Sequence, residues 1–234
     1  MTRESVVLVA AGAGERLGAA ASGPKALVTV AGTTLLELAL RGLRDAGVRD
    51  IVVVHTPGHA RAFADVARRH AVTRLVPGGE TRTASVRAGL DEVELATEVV
   101  AVHDAARALT PATVIRAVLD AVRGDVVAVA PALAVPDTLK RVVAGEVVAT
   151  VDRSDLQAVH TPQAFVPDVL REALAGADDA TDDLGLVERA IAEGRVQGRI
   201  ALVAGSPRDL KITYPEDLDL VASLLAADRL GPAP

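Results

Sequence analysis

The feature that most constrains this chain is a recurring alternation of short Val-rich runs with longer stretches of helical spacing. The runs are Val6 to Val9, Ile51 to Val54, Val99 to Val102 and Val126 to Ala130, with the more polar Thr73 to Val76 as a third short strand among them. A run of four or five apolar, largely β-branched residues bounded by turn residues reads as a strand buried on both faces. Between the runs, Thr33 or Thr34 can cap a helix through about Ala46, with Leu35, Leu36, Leu38, Ala39, Leu40 and Leu43 on its apolar side. An Ala- and Arg-rich helix follows to about His70, another opens near Arg82, and a fourth spans Pro111 to Arg123. Right-handed crossovers then predict an α/β fold, a mainly parallel sheet with helices on both faces. Helices over Val166 to Ala175, Leu184 to Ala192 and Pro215 to Ala227, with a strand at Arg199 to Ala204, complete the pattern. A chain of 234 residues suits one domain, here 1–234.

The first strand stops in small residues. The stretch Ala10 to Val28 reads AAGAGERLGAAASGPKALV, so Ala11, Gly12, Ala13 and Gly14 leave the backbone bare while Arg16 and Lys25 add positive charge. Backbone N–H groups can converge there on phosphate oxygens. A P-loop needs GxxxxGK[ST] and a dinucleotide turn needs GxGxxG running into a helix; Lys25 precedes Ala26, and Gly23-Pro24 interrupts any helix. Composition adds weight to the lysines. Of 25 basic residues only Lys25, Lys140 and Lys211 are lysine, and a compact ammonium serves phosphate as a point charge where arginine is otherwise the default.

Other candidates follow the remaining strands. Pro77-Gly78-Gly79-Glu80-Thr81-Arg82 feeds a helix whose N-terminal amides can bind a ligand, with Arg82 and Ser85 on one side of its first turn. His103-Asp104-Ala105-Ala106-Arg107 leaves the carboxyl end of a strand, where open α/β sheets bind ligands; Asp104 can hold Mg²⁺ or a ribose hydroxyl, and Arg107 can clamp a phosphate. His55 and His59 have the spacing of a metal pair, but Pro57-Gly58 breaks the face between them. The acidic Asp178 to Asp183 stretch reads as capping for the helix at Leu184 rather than a cation site. Thr138 to Val143 and Val147 to Arg153 around Ala144-Gly145 read as a hairpin, which needs something to pack against. Three aromatic residues (Phe63, Phe165 and Tyr214) and a net charge of −6 argue against nucleic acid, and the absence of cysteine excludes thiolate metal sites and disulfides. No leader and no apolar run of membrane length is evident, so a cytoplasmic protein is expected.

Taken together, the motifs resemble the 2-C-methyl-D-erythritol 4-phosphate cytidylyltransferases of the non-mevalonate isoprenoid pathway. They are AAGxGxR with Pro24-Lys25, GGxxRxxSV from Gly78 to Val86, HDAAR from His103 to Arg107, DTxKR from Asp137 to Arg141, VDR with TPQxF from Val151 to Arg153 and Thr161 to Phe165, and KIT with PEDL from Lys211 to Leu218. The resemblance implies a Rossmann-like fold with a protruding β-arm at about 137–154, CTP and 2-C-methyl-D-erythritol 4-phosphate as substrates, Mg²⁺, and release of pyrophosphate. It implies that Arg16, Lys25 and Lys211 are catalytic. Ala11, Gly12, Gly14, Gly79, Glu80, Ser85, Asp104 and Ala105 would bind CTP, with Asp104 also at the metal. Arg107, Thr138, Arg153 and Thr161 would receive the methylerythritol phosphate, the arm embracing a second subunit in a homodimer. Three positions depart from the family pattern: the gap from Arg16 to Lys25 is about two residues longer, Ala108 stands in place of proline, and Asp209-Leu210 replaces Asn-Ile, adding a carboxylate beside Lys211. A nicotinamide oxidoreductase would need an acidic ribose ligand about 20 residues past the glycine turn, where Val28-Thr29-Val30-Ala31 stands instead.

Overall fold

The computed structural model describes residues 2–20, 23–177 and 179–230. In chain order the elements are β1 (Glu4–Ala10), β2 (Thr29–Val30), β3 (Thr33–Thr34), α1 (Leu35–Asp45), β4 (Asp50–His55), α2 (Ala60–Arg69), β5 (Arg74–Pro77), α3 (Arg82–Asp91), β6 (Val99–Asp104) and α4 (Ala112–Ala121). There follow β7 (Val126–Ala134), β8 (Leu139–Val143), β9 (Glu146–Val151), β10 (Gln157–Val159), β11 (Gln163–Phe165), α5 (Pro167–Leu174), α6 (Leu184–Ala192), β12 (Arg199–Ala204) and α7 (Pro215–Leu230).

The four Val-rich runs do form the buried centre of one sheet, while the strand at Thr73 to Val76 lies half-buried at its edge. β4 and β6 flank β1 in parallel register, β5 extends beyond β4, and β12 runs parallel to β7. Because strand side chains alternate, each central strand feeds two cores. Val6, Leu8, Ile51, Val53 and Ala101 pack with Leu36, Leu40, Phe63 and Ile115 of α1, α2 and α4. Val7, Val52, Val54, Val100 and Val102 pack with Val86, Leu90, Leu170 and Val187 of α3, α5 and α6. Helices therefore cover both faces, as expected.

The sheet departs from simple βα repetition between β6 and β7. They are not neighbours: β11 lies between them, antiparallel to both. The sequence pattern ends the fifth strand at Ala130 and passes from Thr161 directly to a helix, so it misses β10 and β11. In the fold β7 runs on to Ala134, and β10 and β11 pair along it in turn. Val159 faces Ala132 and Ala164 faces Val129, so extra residues bulge out around Thr161-Pro162 and carry Thr161 towards the end of β6.

A third, smaller core joins Leu17, Val30, Leu35, Ala108, Ile212 and Val221, with Leu225 of α7 packed against it. It ties the loop after β1, the turn after β6 and the loop before α7 into one body. Ala108, the position where the family pattern has proline, is buried in it.

The hairpin is as expected. β8 and β9 form their own two-stranded sheet, pairing with no strand of the main one, and turn at Ala144 (φ 49°) and Gly145 (φ 85°). Val142, Val143, Val147 and Val148 are all exposed. Among the described residues no helix is long and apolar enough to cross a membrane.

Candidate active site at the carboxyl edge of the sheet

Four loops meet where β1, β5 and β6 end. After β1 the chain turns through Gly14 at φ 76°, where a Cβ would lie 2.8 Å from that of Lys25, so glycine there lets Lys25 lie flat against the loop. Leu17 N–H donates to Gly14 O at 2.8 Å, and Glu15 to Ala20 wind in 3₁₀ turns rather than an α-helix. Lys25 to Leu27 form one more such turn after Pro24. Ala21 and Ser22, within the longer Arg16-Lys25 gap, lie outside the described residues.

The second loop follows β5. Gly78 N–H donates to His55 O, and a Cβ on Gly78 would come within 2.4 Å of that of Ala11, so the bare backbone of Gly78 lets the Ala11 methyl pack against it. Ser85 Oγ accepts from Gly79 N–H at 3.1 Å and donates to Thr81 O at 2.9 Å, fixing the shape of the turn. Two amides at the start of α3 are already engaged within the protein: Ala84 N–H is capped by Thr81 Oγ1 and Thr83 N–H points to Asp179 Oδ1.

The third and fourth loops carry Asp104 and Lys211. Asp104 N–H donates to Thr161 Oγ1 at 3.0 Å, and Ala105 N–H to Val9 O at 3.0 Å. Ile212 N–H donates to Ala106 O at 2.9 Å, bringing Lys211 Nζ to 2.8 Å from Asp104 Oδ2.

The result is a cleft of about 610 Å³. Ala11, Gly12, Gly14, Arg16, Lys25, Gly79, Glu80, Ser85, Asp104, Ala105 and Lys211 all line it, joined by Arg82, Thr81 and Thr213. Four of the expected site residues do not. Thr161 is buried behind the wall, its hydroxyl engaged with Asp104 N–H and 3.1 Å from His103 Nδ1. Arg107 turns its Nη1 to Asp209 O at 2.6 Å. Thr138 and Arg153 are exposed at the base of the arm, where Arg153 bonds the carbonyls of Val135 and Pro136.

Charges alternate across the cleft. Arg82 Nη2 is 2.8 Å from Asp183 Oδ2 and 3.4 Å from Asp104 Oδ1, and Lys211 holds the other Asp104 oxygen. Burial alone would raise the Asp104 pKa, but Arg82 and Lys211 overcome it and hold the carboxyl at about 2. Arg82 is kept charged by Asp183 and Asp104 despite its own burial, and so keeps the wholly buried Asp183 from standing as an isolated charge. Lys25 moves the other way. Burial first, then repulsion from Lys211 and Arg16, brings its pKa down to about 8 against the pull of Asp104 and Asp217. His103, sealed behind Asp104, is held neutral by burial with a pKa of about 4.

The acidic stretch does more than cap. Asp182 Oδ1 accepts from Gly185 N–H, whereas Asp183 makes no side-chain cap and spends its carboxylate on Arg82. Gln163 Oε1 covers the amides of Asp183 and Leu184 in its place. Asp178 lies outside the described residues. The role of Asp183 is hidden in the sequence because its partner is 101 residues away. Asp209 likewise differs from expectation: its side chain turns away from Lys211 into the interior, towards Thr110 and His160. Among the described residues no cluster of three or more acidic or histidine side chains could cage a metal; of the carboxylates that line the cleft, that of Asp104 stands between Arg82 and Lys211 and is held ionised by them.

A glycine-rich turn after a parallel strand, with lysines from two distant loops converging near a carboxylate at the carboxyl edge, defines a nucleotidyltransferase site. Comparison with known proteins makes this specific. Residues 5–227 match the family model described as 2-C-methyl-D-erythritol 4-phosphate cytidylyltransferase. The chain is 50% identical to the protein of that name from Saccharopolyspora erythraea, covering 93% of this chain and 96% of that one. It is 46% identical to the namesake from Nocardia farcinica, covering 92% and 91% respectively. A crystal structure of the Thermus thermophilus cytidylyltransferase superposes with a TM-score of 0.75 at 33% identity over 97% of this chain and all of that one. The chain belongs to the 2-C-methyl-D-erythritol 4-phosphate cytidylyltransferase family and is a nucleotidyltransferase of the isoprenoid pathway.

Proposed function

We propose that the cleft holds CTP between the Ala11 to Lys25 loop and the Gly78 to Ser85 turn and transfers CMP to 2-C-methyl-D-erythritol 4-phosphate. A substrate phosphate oxygen attacks the α-phosphorus in line; the new P–O bond forms as the bond to pyrophosphate breaks, giving the CDP-alcohol. The carrying observation is that Arg16, Lys25 and Lys211, from separate loops, converge on one glycine-lined cleft beside Asp104. Burial first, and then repulsion from Lys211 and Arg16, lowers the Lys25 pKa, so the three cations stand close enough to act on one polyphosphate. No protein nucleophile is needed. Arg16, Lys25 and Lys211 would steady charge on the phosphoryl centre, and preorganised electrostatics would be the main catalytic contribution. Gly79, Glu80, Ser85 and Ala105 would surround the cytidine.

Asp104 suits Mg²⁺ of a particular kind. Magnesium commonly takes one or two carboxylates together with substrate phosphates, and an ionised Asp104 outside any cluster of three ligands fits an ion that arrives with the nucleotide. Bound there, it would shield phosphate charge. The arm would complete the site from a second copy of the chain. Thr138 and Arg153 do not line their own subunit's cleft, and a free two-stranded ribbon with four exposed valines is marginal in water without a partner. Arg107 and Thr161 would stand near the methylerythritol phosphate.

Product mass spectrometry with CTP, Mg²⁺ and a panel of polyol phosphates tests the reading. CDP-methylerythritol should dominate, and excess EDTA should stop turnover. Folded protein that makes only CDP-ribitol, or nothing, would reject the substrate; undiminished turnover in EDTA would reject the metal.

A further inference from the structure

Asp209 has no solvent exposure, yet two separate segments of the site close on it. The Thr110 hydroxyl, in the segment that leaves Asp104 and Arg107, lies 2.5 Å from its Oδ1. Its Oδ2 lies 3.2 Å from His160 Nδ1, next to Thr161, within ion-pair reach, and among the described residues neither atom has a hydrogen-bond partner. Its backbone carbonyl accepts from Arg107 Nη1 at 2.6 Å. Two residues later the chain presents Lys211 to Asp104.

A carboxylate without water must find its partners inside the protein, and leaving one unmet is costly. The partners of Asp209 come from segments 99 and 49 residues away in sequence, so its burial is satisfied only when those segments are docked. We propose that Asp209 is a positioning residue: its buried carboxylate locks the loop before α7 to the Thr110 and His160 segments and thereby fixes Lys211 over Asp104. The proposal rests on the catalytic reading of Lys211 given above. The hydrogen-bonding shape of the group, not its charge, sets the position. Asparagine would keep an acceptor for Thr110 and an amide N–H to offer towards His160 Nδ1.

The test is steady-state kinetics on Lys211→Ala, Asp209→Ala, the double variant, Asp209→Asn and Thr110→Val, with folding checked by circular dichroism. Asp209→Ala should lower kcat roughly 10-fold while KM for CTP stays within about twofold, because a misplaced cation loses transition-state contact first. Added to Lys211→Ala it should cost nothing more, since the lysine it positions is gone. Asp209→Asn should retain most of kcat. A folded Asp209→Ala with unchanged kcat, a loss that multiplies with that of Lys211→Ala, or an asparagine variant as poor as alanine would each overturn the proposal. Should Asp209→Ala fail to fold, Thr110→Val tests the same contact from the other side: a several-fold fall in kcat at constant KM supports it, and an unchanged kcat overturns it. Full activity in Lys211→Ala alone would instead bring down the reading of the lysine, and the proposal with it, without reference to Asp209.

Discussion

The cleft and the arm are opposite answers to the problem of holding a side chain in place. Cleft residues sit on loops leaving a sheet whose central strand β6 is buried along its whole length, and Leu17, Ala108 and Ile212 pin three of those loops together from below. Arm residues have no such floor. The arm makes no pairing with the main sheet and exposes its valines on a ribbon. The cleft is thus organised by its own chain, whereas Thr138 and Arg153 gain a fixed place only against something else, which we propose is a second copy.

The sharpest way to break this contrast is to remove the cleft's cations. Lys25→Ala and Lys211→Ala should each lose kcat by roughly 10²-fold or more with folding intact. A change confined to KM would mean that the lysines bind ground and transition states equally.

Next in size is a test of shared sites. Lys25→Ala and Arg153→Ala homodimers should both be nearly inactive. Co-refolded in equal amounts, about half the dimers are mixed, and each has one complete site, so activity should return to roughly a quarter of wild type. A monomer by light scattering, or mixtures no better than their parents after verified exchange, would place Arg153 in its own subunit's site or outside the chemistry.

A smaller effect should follow pH. If protonated Lys25 is the working form, kcat/KM for CTP falls about tenfold per unit above a pKa near 8. Lys211→Ala removes one source of repulsion, so the residual activity of that variant should hold to higher pH. A limb that stays put would assign the titration to another group.

The smallest effect is on stability. Because the folded pKa of Lys25 lies below its ordinary value of 10.5, the unfolded chain binds more protons between about 8 and 10.5. The lysine therefore works against folding below pH 8, and that penalty fades as pH rises through the window. Lys25→Met should be relatively more stable than wild type at pH 7 than at pH 10 by urea titration; the reverse order would contradict the sign.

Much of the cleft was legible in the sequence. Ala11 to Lys25, Gly79 to Ser85 and Asp104-Ala105 are local motifs, each written at the end of an apolar run, and local spacing survives into the fold. Other parts were not legible, for an equally physical reason. Asp183 and Asp209 looked like a helix cap and a stray carboxylate beside Lys211; both are buried partners of groups about 100 residues away. β11 could not be read as a strand because three residues carry no periodicity, and only the open edges of β6 and β7 give them somewhere to pair.

The sequence by itself determined the parallel framework, the glycine loops and the identity of the cations, since strand burial, backbone freedom and charge belong to residue type and near neighbours. Tertiary structure alone decided that β11 separates β6 from β7, that Thr161 stands behind Asp104 instead of in the open cleft, and that Arg82 and Lys211 share one carboxylate. Those outcomes depend on which distant groups can satisfy one another once water is excluded, and no local pattern encodes that pairing.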